Sequence, residues 1–470
     1  KRQPHPKPSA GRSKDMLTDR ISTFVSGVRT ADIPQDALDK ARLGMTDFIG
    51  VAVAGSQEEL GRIILEYGNR MGGVAEASII AGDRKTSPEM AALVNGTMGH
   101  ALDYDDMSVS PISHPSVFLA PAILAVGESI GASGLEALAA YVVGYEVAGC
   151  VAGPMFQSHY VQGWHSTSTF GSLGAAAAVA WLLKLNARQV RMAIGIAASL
   201  ACGLRQNFGT MTKPLHAGKA AANGIQAAFL AQAGFTADAA IIEAPLGFAK
   251  VMGHDDEVDW AKVGINLGKT FVIAGPVGLA IKPYPSCGFT HTAIDCALDL
   301  LQQGVKTEEI VEIELGTSPF DKQLLIHHRP KTGLEGKFSL EYCVARALAS
   351  GGVRLNSFSE ETIREPEVQR LIEGMKWVEK YPMPVMGTPE GFGAKSVTVT
   401  LKNGQKYDST VRVARGMPTN PLSTREFNAK YRDCASTVLS AEVVEESLSL
   451  LTGMQQAGTV TEVMARISRD

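Results

Sequence analysis

The chain has 470 residues, 45% hydrophobic and 20% charged, with 44 Lys+Arg against 48 Asp+Glu for a formal net charge of −4. This is a globular composition, long enough for two hydrophobic cores, and it excludes a fibrous or intrinsically disordered protein. It also speaks against a nucleic-acid partner, which would call for a basic stripe or domain.

Residues 1–15, KRQPHPKPSAGRSKD, are basic and Pro-rich and lack the apolar stretch of a signal peptide, so they read as a disordered tail. From about Met16 to Ala274 the pattern is helical. Gln35–Ala54, Ser87–Tyr104, Ser116–Ile130, Gly134–Ala152, Thr167–Leu183, Ala187–Gly203 and Leu215–Ala233 carry long apolar faces rich in Ala, Leu and Met. Segments apolar nearly all round, such as Gly174–Leu183, belong inside a helical bundle. The longest apolar stretches, Phe170–Leu183 and Met192–Leu204, are interrupted by Gly or Ser and fall short of the ~20 residues that cross a bilayer. They read as buried helices, and no membrane partner is expected.

The texture changes near Ile281. His291–Gln303 reads as a helix and Glu309–Leu315 alternates as a strand does. Ser396–Leu401 and Lys406–Val413 flank Lys402-Asn403-Gly404-Gln405, a strong hairpin signal. After Pro418 and Pro421 the chain turns helical again, over Thr424–Ser436 and Glu442–Leu450. The expectation is a mainly α fold. Residues 16–280 and 411–470 form a large all-α domain, and residues 281–410 a smaller α+β lid. Cysteines at 150, 202, 287, 296, 343 and 434 form no CxxC pair, which fits free thiols in a reducing, cytoplasmic setting.

His114, Lys213 and Lys282 each directly precede a proline. Proline disfavours helix at the residue before it and suits the first helical position, so His114 and Lys213 belong at or beside helix N-caps. His165 precedes Ser166-Thr167-Ser168-Thr169, capping residues ahead of another helix. Free N–H groups and the positive end of the helix dipole at such places suit carboxylates. The bland alternative is a set of ordinary helix starts on unrelated surfaces.

Asp103, Asp105 and Asp106 fall at the end of the Ser87–Tyr104 helix, with His100 on the face of Asp103. They read either as an acid that orients a catalytic base or as a solvated helix end. A metal set of His100, Asp103 and His114 has no HExxH or EF-hand spacing behind it, and no metal is expected. Lys282-Pro-Tyr-Pro-Ser286-Cys287-Gly-Phe-Thr-His291 is a rigid loop carrying a cation, a hydroxyl, a thiol and an imidazole, or else an interdomain linker. Cys287 is a candidate nucleophile or proton carrier, against the commoner buried, inert thiol. Gly127-Glu128-Ser129-Ile130-Gly131 matches the hydrolase string GxSxG, but that motif needs a strand before the serine, and Pro121–Val126 continues a helix. No GxGxxG follows a strand, so nucleotide cofactors are not indicated.

Five ordered blocks carry a resemblance: His100-Ala-Leu-Asp103-Tyr-Asp105-Asp106 with His114-Pro115-Ser116, Gly163-Trp164-His165-Ser-Thr-Ser-Thr, Asn207-Phe-Gly-Thr-Met-Thr-Lys213-Pro-Leu-His216-Ala-Gly218, Lys282-Pro-Tyr-Pro-Ser286-Cys287, and Lys337-Phe-Ser-Leu-Glu-Tyr342. From about Met16 onward the chain resembles the MmgE/PrpD family. The resemblance implies a large all-α domain built from both chain ends, a smaller α+β lid and a site between them. It also implies a homodimer without metal or organic cofactor. The reactions it implies are hydro-lyase, decarboxylase or epimerase chemistry on small polycarboxylates. Asp103, His114, His165, Lys213 and Lys282 match family active-site positions. Some decarboxylase members carry a histidine where Cys287 stands and a threonine near Met107, and both differences count against cis-aconitate decarboxylation. The strings around His165, Lys213 and Ser286-Cys287 look closer to iminodisuccinate epimerase.

The reading that follows is a lyase for a 2-methylcitrate- or aconitate-like acid, with dicarboxylate epimerisation as the alternative. Lys213 and Lys282 bind carboxylates and stabilise a carbanion-like intermediate, and His114 or His165 transfers the proton. Asp103 orients or polarises. Tyr160 and Cys287 are weaker proton-carrier candidates, and His216 and Ser286 are further substrate-binding candidates.

Overall fold

The computed structural model describes residues 16–468 apart from 111–112, 254–257, 386 and 457. The expected tail, residues 1–15, lies outside them. The chain opens with α1 (Leu17–Gly27), α2 (Gln35–Gly55), α3 (Glu59–Met71) and α4 (Pro88–Gly99), with a small antiparallel pair, β1 (Ala77–Ser78) and β2 (Lys85–Thr86), between α3 and α4. Then come β3 (Met107–Ser108), α5 (Ser116–Ile130), α6 (Gly134–Ala152), α7 (Phe156–Val161), α8 (Ser166–Leu182), α9 (Ala187–Leu200), α10 (Thr212–Gln232) and α11 (Phe248–Gly253).

The centre of the helical part is α10 packed on α8, α4 and α9, with α6 against α8. These faces are built from very small side chains. Ala175 to Ala178 and Ala180 on α8 are 0% exposed. A Cβ at Gly218 would sit 2.1 Å from the Leu93 carbonyl oxygen, and one at Gly224 would sit 2.4 Å from Ala175 Cβ. Backbones can approach this closely only where side chains are missing, and close packing rewards the approach. A reciprocal capping box of Ser133 and Glu136 starts α6. By length and composition α6 is also apolar enough to cross a membrane, which the sequence reading overlooked, but 78% of that window is buried inside the structure. The GxSxG string ends α5, so the serine has no strand before it.

Strand β4 (Leu279–Ala280) pairs antiparallel with β3, Met107 opposite Ala280. This short ladder sets the aspartate segment beside the Lys282 loop, although their residues are far apart in sequence. Beyond it run α12 (His291–Gln302), β5 (Ile310–Thr317), α13 (Asp321–Leu324), α14 (Gly333–Gly336), α15 (Leu340–Ser350), α16 (Glu360–Ile363), α17 (Pro366–Glu373), β6 (Met375–Glu379), β7 (Lys395–Leu401) and β8 (Lys406–Val411). The sheet order is β6-β5-β7-β8, parallel only between β5 and β6. Gly404, at φ +83°, makes the β7–β8 hairpin turn that Asn403-Gly404 announces. Helix α12 packs on β7 and β8 and α17 on β5, with α15 lying against both helices, and the buried residues of the sheet include Ile313, Leu315, Val397 and Val399. The sequence did not announce β6: Met375–Glu379 is a five-residue edge strand without a fully buried residue, and its alternation stops after Met375-Lys376-Trp377. Last, α18 (Thr424–Ala435) and α19 (Ala441–Thr452) pack on α2, and α20 (Val460–Ile467) packs on α5. The fold is mainly α with a small α+β portion, as expected.

One expected helix is shorter than its periodicity. Ser87 caps α4, but the helix ends at Gly99 rather than continuing to Tyr104, and Asp103 takes the left-handed φ of +51°. Ala101 and Leu102 are buried, so the apolar pattern runs on past the point where the backbone turns. What holds the turn is distant in sequence. Lys337 donates to the Leu102 carbonyl at 2.5 Å, Lys282 to the Asp103 carbonyl at 2.9 Å and Lys430 to the Tyr104 carbonyl at 2.7 Å. Three consecutive carbonyls with no strand or helix to receive them are thus each satisfied by a buried lysine.

Candidate active site

The three aspartates of this turn have three different surroundings. Asp103 Oδ1 receives Lys213 Nζ at 2.6 Å and Lys282 Nζ at 3.2 Å. Burial opposes its ionisation, but the two ammonium groups prevail and hold the carboxyl well below the usual range. Asp105 Oδ2 meets His100 Nδ1 at 2.8 Å and His114 Nδ1 at 3.0 Å, and it too is held low despite burial. Among the described residues Asp106 has no cation partner. Ser116 N and Oγ meet it at 3.1 and 2.7 Å and Tyr141 Oη at 3.2 Å. Burial, with Asp47 next, pushes its pKa well above the carboxylate range. The expectation that His100 and Asp103 share a helix face is therefore corrected: the helix has ended, and the imidazole turns to Asp105.

Around this turn lies a partly open pocket, with about 450 Å³ of non-atom space that includes open solvent. Asp103, His114, Tyr160, His165, Lys213, Lys282 and Cys287 all line it, so seven expected catalytic positions from distant parts of the chain converge. His114 follows β3 and stands two residues before α5, and His165 is the N-cap residue of α8. Lys213 lies one step further in than expected, as the second residue of α10 after its N-cap Met211. Lys282 is not at a helix start at all. It follows β4, and its pairing places it on Asp103.

Both histidines on the wall are kept neutral by their surroundings. Burial lowers the pKa of His114 against the pull of Asp105, and it lowers His165 well below normal, with neighbouring His100 and Lys213 adding to the effect. His114 Nδ1 faces Asp105 and the Asp106 carbonyl oxygen at 2.9 Å, both acceptors, so its proton sits on Nδ1 and Nε2 remains as a base. Burial raises the Cys287 thiol and lifts the Tyr160 hydroxyl to about 12, so both are protonated acids at neutral pH.

Two of the substrate-binding candidates stand off the cavity wall. His216 lies behind His165, with the two Nδ1 atoms 3.1 Å apart. Ser286 Oγ is buried against Thr290 Oγ1 at 2.8 Å. Conversely, Phe208, Phe338, Phe289 and Phe392 line the cavity without having been singled out. Lys213 Nζ lies 5.3 and 5.0 Å from the ring centres of Phe208 and Phe338, a desolvated setting that strengthens its charge interactions. Lys337 is buried and lowered to about 8 chiefly by desolvation, and nothing in the mixed polar and apolar string Glu335-Gly-Lys337-Phe-Ser-Leu-Glu341 marks it as a buried lysine.

Ligand atoms of His100, Asp103, Asp105 and His114 lie within 4.8 Å of one another and could hold a metal ion by distance alone. The charges do not fit one, because two ammonium groups already stand on Asp103, and a divalent cation there would meet both. Summed over Asp103, Lys213 and Lys282, the cluster is positive. Such an arrangement attracts a carboxylate and stabilises negative charge on what lies beside it.

Comparison with known proteins covers nearly the whole chain. The MmgE/PrpD N-terminal domain matches residues 19–261 and the MmgE/PrpD C-terminal domain residues 284–453. Cis-aconitate decarboxylase of Homo sapiens is 26% identical, over 93% of this chain and 92% of its own. A cis-aconitate decarboxylase-like protein of Aspergillus oryzae is 27% identical, over 96% and 97%, and cis-aconitate decarboxylase of Aspergillus terreus 25%, over 96% of each. With both family domains matched in order and the five sequence blocks gathered on one cavity, the chain belongs to the MmgE/PrpD family.

Proposed function

We propose that this protein is a lyase that removes water or CO2 from a compact aconitate- or 2-methylcitrate-like polycarboxylate. The observation that carries the reading is the buried Lys213–Asp103–Lys282 cluster facing two neutral histidines across one cavity. A substrate carboxylate beside the two lysines completes the charge balance. When a proton or CO2 leaves the adjacent carbon, the electron pair stays on the substrate, and the lysines stabilise it in a water-poor site. His114 or His165 exchanges the proton. The names of the relatives, aligned over nearly their full lengths, support a lyase of aconitate-like acids.

Epimerisation of a dicarboxylate such as iminodisuccinate is the second reading. Protonated Tyr160 and Cys287 share the cavity with the histidines, which supplies both an acid and a base. The test is NMR in D2O with citrate, 2-methylcitrate, cis-aconitate and iminodisuccinate-like acids. Loss of water or CO2 supports the lyase. Deuterium uptake at unchanged constitution makes it an epimerase, and no reaction with any of them defeats both readings. The homodimer, the cytoplasmic setting and the division of the chain at about 281 and 411 belong to the same proposal. Analytical ultracentrifugation checks the first, and limited proteolysis the last.

A further inference from the structure

We infer that His216 is the outer half of a proton relay, through which His165 exchanges protons with solvent while substrate fills the cavity. This rests on the proton-transfer reading above. A reaction that moves a proton to or from carbon must reset its acid–base group, and a bound polycarboxylate blocks the direct way out.

The two wall histidines differ in what stands behind them. Behind His114 are Asp105, held ionised, and a backbone carbonyl, and beyond Asp105 stands only His100, 1% exposed, so its Nδ1 proton has an anchor and no path to the surface by that side. Behind His165 is another imidazole. His165 Nδ1 and His216 Nδ1 are 3.1 Å apart, so one must donate and the other accept: a single proton lies between the rings. His165 is 2% exposed and lines the cavity. His216 is only partly buried and does not line it, and among the described residues no hydrogen bond is made to its Nε2. The pair therefore links the cavity wall to the protein surface.

The surroundings favour rings that stay neutral between transfers. His165 packs on Phe208, its centroid 5.0 Å away, and on His100 at 6.0 Å. Lys213, on the same helix as His216, acts against protonation of both rings after burial has done so. Ser168 of α8 donates to the His216 carbonyl and puts no charge on the ring. Gly203, at φ +132°, lets the 201–204 segment close over the pair. A Cβ there would lie 2.8 Å from Ser168 Cβ and 3.3 Å from His216 Cγ. Its carbonyl fixes the His165 N–H at 3.0 Å.

The transfer balances without another reactant. A proton taken from the substrate carbon arrives at His165 Nε2. The proton on His165 Nδ1 passes to His216 Nδ1, and His216 gives its Nε2 proton to water. Both rings end neutral, each in its other tautomer, and the reverse sequence supplies a proton to carbon. The starting tautomers return once product has left, when His165 Nε2 gives its proton to water in the open cavity, His216 Nδ1 returns its proton to His165 Nδ1, and His216 Nε2 takes one from solvent. His216 thus acts through His165, as a positioning and relay residue, and does not touch the substrate.

Two measurements test this. In steady-state assays at rising buffer concentration, His216→Gln is expected to lose roughly 10²-fold in kcat. KM should stay near the wild-type value, turnover should become buffer-dependent, and added imidazole should restore it. Unchanged kcat, or a loss with raised KM that imidazole does not repair, overturns the relay. The second measurement needs no turnover. Nitrogen-15 NMR of the substrate-free protein should show one of the two Nδ1 atoms protonated and the other bare, with His216 changing when His165→Gln removes its partner. Two bare or two protonated Nδ1 atoms overturn the relay whether or not the substrate class has been identified, so its failure is distinct from failure of the lyase reading.

Discussion

Asp103 and Asp106 lie in one turn, 4% and 0% exposed, and their carboxyl groups end in opposite states. Asp103 is ionised because two lysines reach it; Asp106 is pushed toward the neutral acid by burial, with Asp47 adding, because no cation among the described residues reaches it and its bonds from Ser116 only partly oppose burial. Burial is common to both, so burial does not decide the charge. The partner does, and here the partners arrive from residues 213 and 282. The Asp103 side of the turn becomes a fixed positive node for an anionic substrate. The Asp106 side becomes a neutral hydrogen-bonded support under α5.

The contrast breaks most visibly at Asp103. Asp103→Ala leaves two buried ammonium groups without their counter-charge, and it should cost about 3–5 kcal/mol in urea unfolding. A wild-type midpoint would mean that the lysines relax to other partners. Next, Lys213→Ala removes a charge poised on the cavity and should lower kcat by about 10²–10³-fold in the substrate assay. Near-native turnover would remove the lysine node from the mechanism.

A third expectation concerns pH. His100, lowered from 6.5 to about 4 mainly by burial, binds fewer protons folded than unfolded between those values. Its contribution to stability is present above pH 6.5 and is lost as pH falls toward about 4. Unfolding midpoints should decline across that window, and more shallowly in His100→Gln. An equal slope in both proteins would assign the acid sensitivity elsewhere. The smallest effect belongs to Asp106→Asn. Because the folded pKa of Asp106 is raised, the group costs stability as pH rises above the normal carboxylate range. A neutral amide of the same shape should leave stability at pH 7 within ~1 kcal/mol or raise it. A large loss would show that Asp106 is ionised after all and would erase the contrast with Asp103.

Much of the site could be read from the sequence because the residues that precede prolines, and the aspartate run, are local features. His114-Pro115 and Lys213-Pro214 do open helices, and the Asn403-Gly404 hairpin forms as its turn chemistry requires. The end of α4 was not readable. Ala101 and Leu102 continue the apolar pattern, and the three lysines that capture the carbonyls after it lie at 282, 337 and 430. For the same reason His100 was matched with Asp103 instead of Asp105, and His216 was placed on the wall instead of behind it. Edge strand β6 was missed because it is short, has no fully buried residue and alternates only over Met375-Lys376-Trp377.

By itself the sequence determined what periodicity and backbone chemistry control: a mainly α chain with strands confined largely to its later part, and the placing of His114, His165 and Lys213 at helix starts. Tertiary structure alone decided which of those groups carry charge. The ionisation of a buried group depends on partners that long-range packing brings within a few ångströms, and no local pattern encodes that distance.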